Sequence, residues 1–474
     1  MSGQHASWGS WRVIAAAAAV AAGALLAAPL AAGATTTWTL TTSPNPGTSA
    51  NSLAAVACPS ATECWAVGQQ MATGSEDSQT LIEEWDGTSW SAVTSGNVNA
   101  TGGALQPNQL DAVSCDSTTD CWAVGRYIVG TDRLPLGEHW DGSAWTASAL
   151  PQFSGDPAGD YYLEGIACPD ASDCWAVGYW QPSSGSMQVL IEQWGGSAWT
   201  ILTGSSGGIE GYYNGIACVN ASDCYAVGAN DNGVSPPTML VSSWDGHNWQ
   251  GGIHPTNQGS GGDVLDAIAC ASASYCWAVG YYYTTSGGSA QDLFLNFDGT
   301  TWTSSAVSAA NDNSPSENSN LLSAVSCTSD SSCWAAGSYV AGEVSATLVD
   351  AWDGTSWSLV ANTPNGGTDE NSELLGVACA DSGDCAAVGD YGFEDPTLIL
   401  MYVVAAAPTP TPTATVAPTA TATAVPVPES GGGMPGAGSG PARAIGLAIL
   451  GAGLAALLAT AGAALVERRR QKER

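Results

Sequence analysis

The feature that most constrains this chain is a cysteine pair with five residues between its members, which returns seven times. The first copy reads Cys58-Pro59-Ser60-Ala61-Thr62-Glu63-Cys64-Trp65-Ala66-Val67-Gly68. Later copies pair Cys115 with Cys121, Cys168 with Cys174, Cys218 with Cys224, Cys270 with Cys276, Cys327 with Cys333 and Cys379 with Cys385. All 14 cysteines belong to these pairs, and successive copies start 50 to 57 residues apart. A period of that size marks a repeat architecture rather than several unrelated domains.

Each repeat carries four short apolar segments. In the first they are Leu53 to Cys58, Cys64 to Val67, Leu81 to Trp85 and the stretch around Trp90 to Val93. All are strand-length, rich in β-branched or aromatic residues, and bounded by Gly, Ser, Asn and Asp. No helical period is sustained between residues 35 and 404. Seven units of four strands predict an all-β fold, a seven-bladed β-propeller over residues 35–404. The turn between third and fourth strands reads Trp85-Asp86-Gly87-Thr88-Ser89-Trp90. It recurs as Trp140 to Trp145, Trp194 to Trp199, Trp244 to Trp249, Phe297 to Trp302 and Trp352 to Trp357. The seventh unit stops after its third strand, and Thr35-Thr36-Thr37-Trp38-Thr39-Leu40 has the look of a fourth strand with no repeat before it. An N-terminal strand that completes the last blade removes two open sheet edges at once.

The units resemble those of kelch-type and galactose-oxidase-type propellers, in which an aromatic closes the third strand and a Trp opens the fourth. The Asp-Gly-Thr-x-Trp turn is similar to the Asp-box of sialidase-like propellers. The double glycine of the kelch second strand is absent, and a cysteine pair closes the first turn instead. The resemblance implies the fold and leaves the activity open.

Zinc favours cysteines two to four apart with further ligands nearby. Here the spacing is five and the propeller's histidines are only His139, His247 and His254. Seven hairpin disulfides, each stabilising by roughly 2 kcal/mol, are the expected use of the pairs. They imply an oxidising compartment. Residues 1–34 read as a secretory signal peptide, with Arg12, an apolar run from Val13 to Leu30 and Ala32-Gly33-Ala34 as the cleavage pattern. Residues 405–441 read as a Pro/Thr-rich, then Gly-rich stalk. Residues 442–466 read as a single transmembrane helix, and 467–474 as a basic cytoplasmic tail. Leader, stalk, apolar span and basic tail resemble sortase-substrate surface proteins of bacteria. Met434-Pro435-Gly436-Ala437-Gly438 differs from that family's Leu-Pro-x-Thr-Gly signal at two positions, so simple membrane retention is expected.

Between residues 35 and 404 only Arg126 and Arg133 face 40 Asp and Glu, a formal balance of -38. That disfavours nucleic acid and anionic membrane surfaces as partners, and no nucleic-acid partner is expected. In an up-and-down meander the short Cys-x5-Cys and Trp-Asp-Gly turns share one face. The long second-to-third and blade-to-blade connections share the other, which is the expected binding face. Near it lie Tyr161, Tyr162, Tyr212, Tyr213, Tyr281 and Tyr282 beside polar residues, a pattern that suits stacking on a sugar ring. The same rings would otherwise pack between blades. Four residues before each first cysteine stand Ala54, Asp111, Glu164, Asn214, Asp266, Ser323 and Leu375, followed always by Ala or Gly, as crowding at an axis requires. Asp111, Glu164, Asn214 and Asp266 offer oxygen ligands that suit calcium, or else line a solvated channel.

No arginine cluster for a sialidase and no free cysteine for a galactose-oxidase-like copper site is present in the repeats. The expected function is a non-catalytic, cell-surface binding or adhesion module on a stalk, facing extracellular or wall polysaccharide. The alternatives are a carbohydrate-active hydrolase using unidentified carboxylates and a purely structural surface protein.

Overall fold

The computed structural model describes residues 36–404 except 73–76, 99–106, 155, 157–158, 203–208, 234, 306–318, 342–343, 368–370 and 393–395. The expected signal peptide, stalk, transmembrane helix and tail lie outside the described residues. Among the described residues no helix is long and apolar enough to cross a membrane.

Every regular element described is a β-strand, and the strands form seven four-stranded antiparallel sheets. Blade 1 consists of Ala50–Ser60, Glu63–Met71, Gln79–Trp85 and Trp90–Val93. Blades 2 to 6 repeat this order and begin with Asn108–Ser117, Asp160–Asp170, Tyr212–Asn220, Gly262–Ser272 and Asn320–Ser329. Blade 7 takes Ser372–Cys379, Asp384–Tyr391 and Thr397–Val404 from the C-terminal side and Thr36–Thr41 from the N-terminal side. The last pair runs antiparallel, with Thr36 opposite Val404 and Thr41 opposite Ile399. First strands of consecutive blades touch all the way round, and the first strand of blade 7 touches that of blade 1. The ring is therefore closed, as the orphan Trp38 segment predicts.

Two local devices shape each blade. The first strand carries a β-bulge at the fourth residue before its cysteine, between Leu53 and Ala55 in blade 1 and between Leu163 and Gly165 in blade 3. An unpaired extra residue bends the strand and re-aims a side chain. The glycine that ends each Cys-Trp-Ala-Val-Gly motif lies across from this bulge. A Cβ on Gly178 would stand 1.9 Å from the Tyr162 carbonyl oxygen, so no other residue fits. The small residue after the bulge is set by the neighbouring blade, since a Cβ on Gly215 would stand 3.0 Å from the Ala267 Cα.

At the turn face all seven expected disulfides form. Cys58 bonds Cys64, Cys115 bonds Cys121, Cys168 bonds Cys174 and Cys218 bonds Cys224. Cys270 bonds Cys276, Cys327 bonds Cys333 and Cys379 bonds Cys385. Their Cα separations are 4.0 to 4.1 Å, as close cross-strand neighbours require. The two ends of each bridge sit differently. Cys58, Cys115, Cys168, Cys218, Cys270, Cys327 and Cys379 are half-buried on the first strand. Their partners Cys64, Cys121, Cys174, Cys224, Cys276, Cys333 and Cys385 are buried on the second strand and belong to the apolar cores. No cysteine is left free.

The closing third-strand aromatic ties the two turns of a blade together. The Trp140 indole N–H donates to the Thr118 carbonyl at 3.2 Å, and Trp194, Trp244 and Trp352 do the same to Ala171, Ala221 and Asp330. In the Trp-Asp-Gly turn, Asp86 Oδ1 accepts the backbone N–H of Thr88 at 2.8 Å and of Ser89 at 2.9 Å. Asp141, Asp245, Asp298 and Asp353 repeat this bond pair.

Between blades, the second-strand aromatic lies against both aromatics of the next blade's Trp-Asp-Gly turn. Trp65 meets Trp140 and Trp145 with ring centroids at 4.7 and 5.4 Å. Trp122, Trp175, Tyr225 and Trp277 repeat the arrangement with the following blades. Trp334 completes it against Tyr402 and Trp38 at 4.5 and 5.4 Å. Each such ring pair adds about 0.5–1.5 kcal/mol beyond its buried area. The seam between blades 7 and 1 differs, because its second-strand residue is Ala386. Met401, directly across from Ala386 on the third strand, is buried there and shares a core with Trp90.

Blade 3 alone of blades 1 to 6 lacks the turn aspartate and has Gly195, with open space where a Cβ would stand. Gly195→Asp is expected to raise the melting temperature near neutrality and to lose that gain in acid. These turn bonds favour the carboxylate over the acid. At Asp298 the Thr300 hydroxyl first, then the Thr301 and Thr300 backbone N–H groups, push the pKa down to about 2, and Ser197 supplies the corresponding hydroxyl in blade 3. Gly178→Ala is expected to cost about 1–3 kcal/mol or more by forcing the bulge apart. Thermal denaturation of both variants checks the pair.

Candidate functional site

The site builds from the loop-face ends of the first and second strands, nearest the axis. One position after the second-strand glycine, the otherwise constant motif varies: Gln69, Arg126, Tyr179, Ala229, Tyr281, Ser338 and Asp390. Three of these reach the first strand of the next blade. Arg126 reaches blade 3, the Tyr179 ring lies 6.1 Å from that of Tyr212 in blade 4, and Asp390 accepts a 2.7 Å hydrogen bond from Ser52 of blade 1. Variation beside an invariant glycine is the signal in the sequence that marks this ring, and the motif reading passes over it.

Around blades 2 to 4 the ring becomes an aromatic shelf. Tyr162 and Tyr179 are cross-strand partners, stacked with centroids 4.3 Å apart and planes 14° from parallel. Tyr212 meets Tyr179 edge-on. The Arg126 guanidinium lies over Tyr162 at 5.0 Å, and Arg133 approaches the same ring at 5.8 Å. Arg126 is buried, pairs with Asp111 at 3.0 Å and stands 3.6 Å from Glu164. Burial pulls its pKa down, but Asp111 and Glu164 together outweigh that and hold the guanidinium charged. Arg133 pairs with Asp160 at 3.5 Å.

The sequence-predicted residues divide into groups. Tyr162 and Tyr212 assemble the shelf together with Tyr179, which is not among the predicted residues; Tyr179 and Tyr212 are half-buried and Tyr162 is buried. Tyr161 and Tyr213 are not presented to a ligand, which corrects the expectation for both. Tyr161 is 0 % exposed, and its hydroxyl accepts from the Phe153 N–H at 2.8 Å, so it props a blade-to-blade connection. Tyr213 is 1 % exposed and hydrogen-bonded to Ser242. The cause is strand alternation: Tyr161 and Tyr213 fall on core-facing positions. Tyr281 and Tyr282 are half-buried in blade 5, where Tyr281 meets Tyr283 at 5.5 Å and Tyr282 packs on the blade core.

The four expected calcium ligands engage the protein itself. Asp111 and Glu164 flank Arg126, and Asp111 also accepts from Gln109 at 2.7 Å. Asn214 turns its amide N–H, not its carbonyl, to Asp266 at 2.9 Å. Among the described residues no three His, Cys, Asp or Glu side chains gather as a metal set.

Several long connections are pinned rather than free. After the fourth strand, Asn45, Asn97 and Asn365 use their side-chain carbonyls to accept from the backbone N–H of Thr397, Thr80 and Thr347, at 2.7, 3.1 and 2.8 Å. Two residues earlier, Ser43 and Ser95 donate to buried acids of the following blade, Glu83 at 2.9 Å and Glu138 at 3.0 Å. Thr363 is in the same place, but the next blade there offers the apolar Leu400. Burial pushes Glu83 and Glu138 up to about 7, against the lowering effect of the serines. Glu192, at the same third-strand register, and Asp292, three positions nearer the loop face, are pushed well up by burial, and Asp292 further by the Asp350 charge.

No protein-family model matches the sequence, and no curated protein matches it. Solved structures do. The chain is similar to the six-bladed fungal lectin of Aleuria aurantia at 12 % identity, covering 59 % of this chain and 87 % of the lectin, with TM-score 0.38. It is similar to Chaetomium thermophilum Sqt1 at 10 % identity over 76 % of this chain and 96 % of that one, with TM-score 0.40. It is also similar to a Trypanosoma rangeli sialidase at 9 % identity over 74 % and 53 %, with TM-score 0.40. Likenesses this distant carry no argument about activity. Seven disulfides fit an extracellular protein.

The raised carboxyls set a pH dependence. Folded, Glu83 and Glu138 keep their protons up to about 7; unfolded, they release them near 4.5. Their contribution is complete below the unfolded value and is lost as pH rises through the folded one. The melting temperature is expected to climb as pH falls from about 7 towards 4.5. Glu83→Gln with Glu138→Gln should flatten that rise, which a pH series of thermal scans measures.

Proposed function

We propose that this chain is a non-catalytic, surface-displayed propeller that binds extracellular or wall glycan on its loop face. The observation that carries the reading is the half-buried shelf of Tyr179 and Tyr212, backed by Tyr162, which has the carboxylates of Asp160 and Glu164 near it. A pyranose ring has apolar faces that stack on such rings and hydroxyls that bond to such neighbours. The shelf is rigid before any ligand arrives, because Tyr162 is held between Tyr179 and Arg126. A preformed platform loses little entropy on binding.

The ends of the ring support display on a stalk. Thr397–Val404 runs from the loop face to the turn face, so the chain after Val404 starts out from the turn face.

The test is a glycan array probed with the full chain, disulfides intact. Binding of a narrow glycan set is expected, lost in Tyr179→Ala and Tyr212→Ala and kept in His247→Ala on the turn face. A blank array, or binding indifferent to both tyrosines, overturns the reading.

A further inference from the structure

We infer that the loop-face shelf takes glycans without acidic groups, neutral or aminated, and that Arg126 braces the shelf instead of meeting the ligand. This rests on the glycan-binding reading above.

Recognition of a carboxylate or sulfate on a sugar calls for an exposed cation, above all a forked guanidinium. Between residues 35 and 404 the only Lys or Arg residues are Arg126 and Arg133. The side chain of Arg126 is 6 % exposed and its charge is spent on Asp111 and Glu164. Arg133 lies beside Asp160, and its backbone N–H also donates to that carboxylate at 2.8 Å. Both guanidinium groups approach Tyr162. The histidines lie elsewhere or are engaged. His139 stacks on Trp122 and contacts Asp120 near the turn face, His247 is in a Trp-Asp-Gly turn, and the ring of His254 bonds the Met239 carbonyl. No described cation is therefore left for an anionic ligand. Around the shelf the two cations are outnumbered by Asp111, Asp160 and Glu164, so an acidic sugar would meet a net negative patch within a domain of formal balance -38. Like charges brought together suppress binding, whereas a neutral ring stacks unopposed and an ammonium group is attracted.

The brace has a physical purpose. A guanidinium between two carboxylates and over a tyrosine fixes that ring from blade 2 while Tyr179 fixes it from its own blade. The shelf thus spans blades 2, 3 and 4 as one unit. Arg126 is a positioning residue in this account.

The experiment compares matched glycans on the array, each bound parent beside its sialylated, sulfated or uronate derivative and beside its aminated form. Acidic derivatives are expected to bind at least about tenfold more weakly than their parents, and aminated forms as well or better, with the difference shrinking at high salt. Asp111→Asn with Glu164→Gln frees Arg126 and should narrow the gap between parent and acidic forms. Asp116→Asn with Asp330→Asn, on exposed turn-face sites, removes the same number of charges and should leave the gap unchanged. Acidic derivatives that bind as well as their parents overturn the charge inference and leave glycan binding standing. Equal narrowing by both double variants overturns its assignment to the shelf. A blank array strikes the glycan reading itself.

Discussion

At six of the seven seams an aromatic side chain of one blade rests against two rings of the next, and this contact joins the separate sheets into a ring. A four-stranded sheet of this size cannot bury both faces by itself. The ring contacts bury the outer part of each face near the turns, and the small residues after the bulges let the first strands crowd at the axis. The exception is instructive. Where Ala386 replaces the aromatic, Met401 stands across from it at a position held elsewhere by Glu84, His139, Gln193, Ser243, Asn296 or Ala351. A flexible thioether fills the space a rigid ring leaves. The same seam has its own fastening, since Thr36–Thr41 and Thr397–Val404 pair in blade 7 beside it.

The devices that build the blade also position the site. The bulge needs a glycine opposite it, and the residue after that glycine is held at the loop-face mouth, within reach of the neighbouring blade. Nothing in the hairpin fixes that residue's type. Gln69, Arg126, Tyr179, Ala229, Tyr281, Ser338 and Asp390 can differ without disturbing the fold, so the constant motif supplies a scaffold and its last neighbour supplies chemistry.

The architecture was readable because it depends on local, repeated patterns. Cys-x5-Cys fixes a hairpin, Trp-Asp-Gly a second one, and the Trp38 segment can only be a missing fourth strand. The loop-face site was less readable because its contacts cross between repeats. That Tyr161 points into the core while Tyr212 borders the shelf depends on where each strand enters the ring, and adjacent tyrosines look alike in sequence. Arg126 reads as one of two stray cations until Asp111 and Glu164 are seen on either side of it. The serine and asparagine clasps were hidden for the same reason: Ser95 answers to Glu138 in the following blade, 43 residues away.

The position of Val404 has a mechanical consequence. Thr397–Val404 is not an edge strand, for it lies between Asp384–Tyr391 and Thr36–Thr41 with both ladders hydrogen-bonded. Tension applied to the chain beyond Val404, directed away from the turn face, runs along the axis of that strand. The two ladders are then loaded in shear, so their bonds share the load and cannot peel one at a time. An edge strand pulled across its ladder would unzip. The strand that meets the outgoing chain is thus one of the two in its blade held by a ladder on each side.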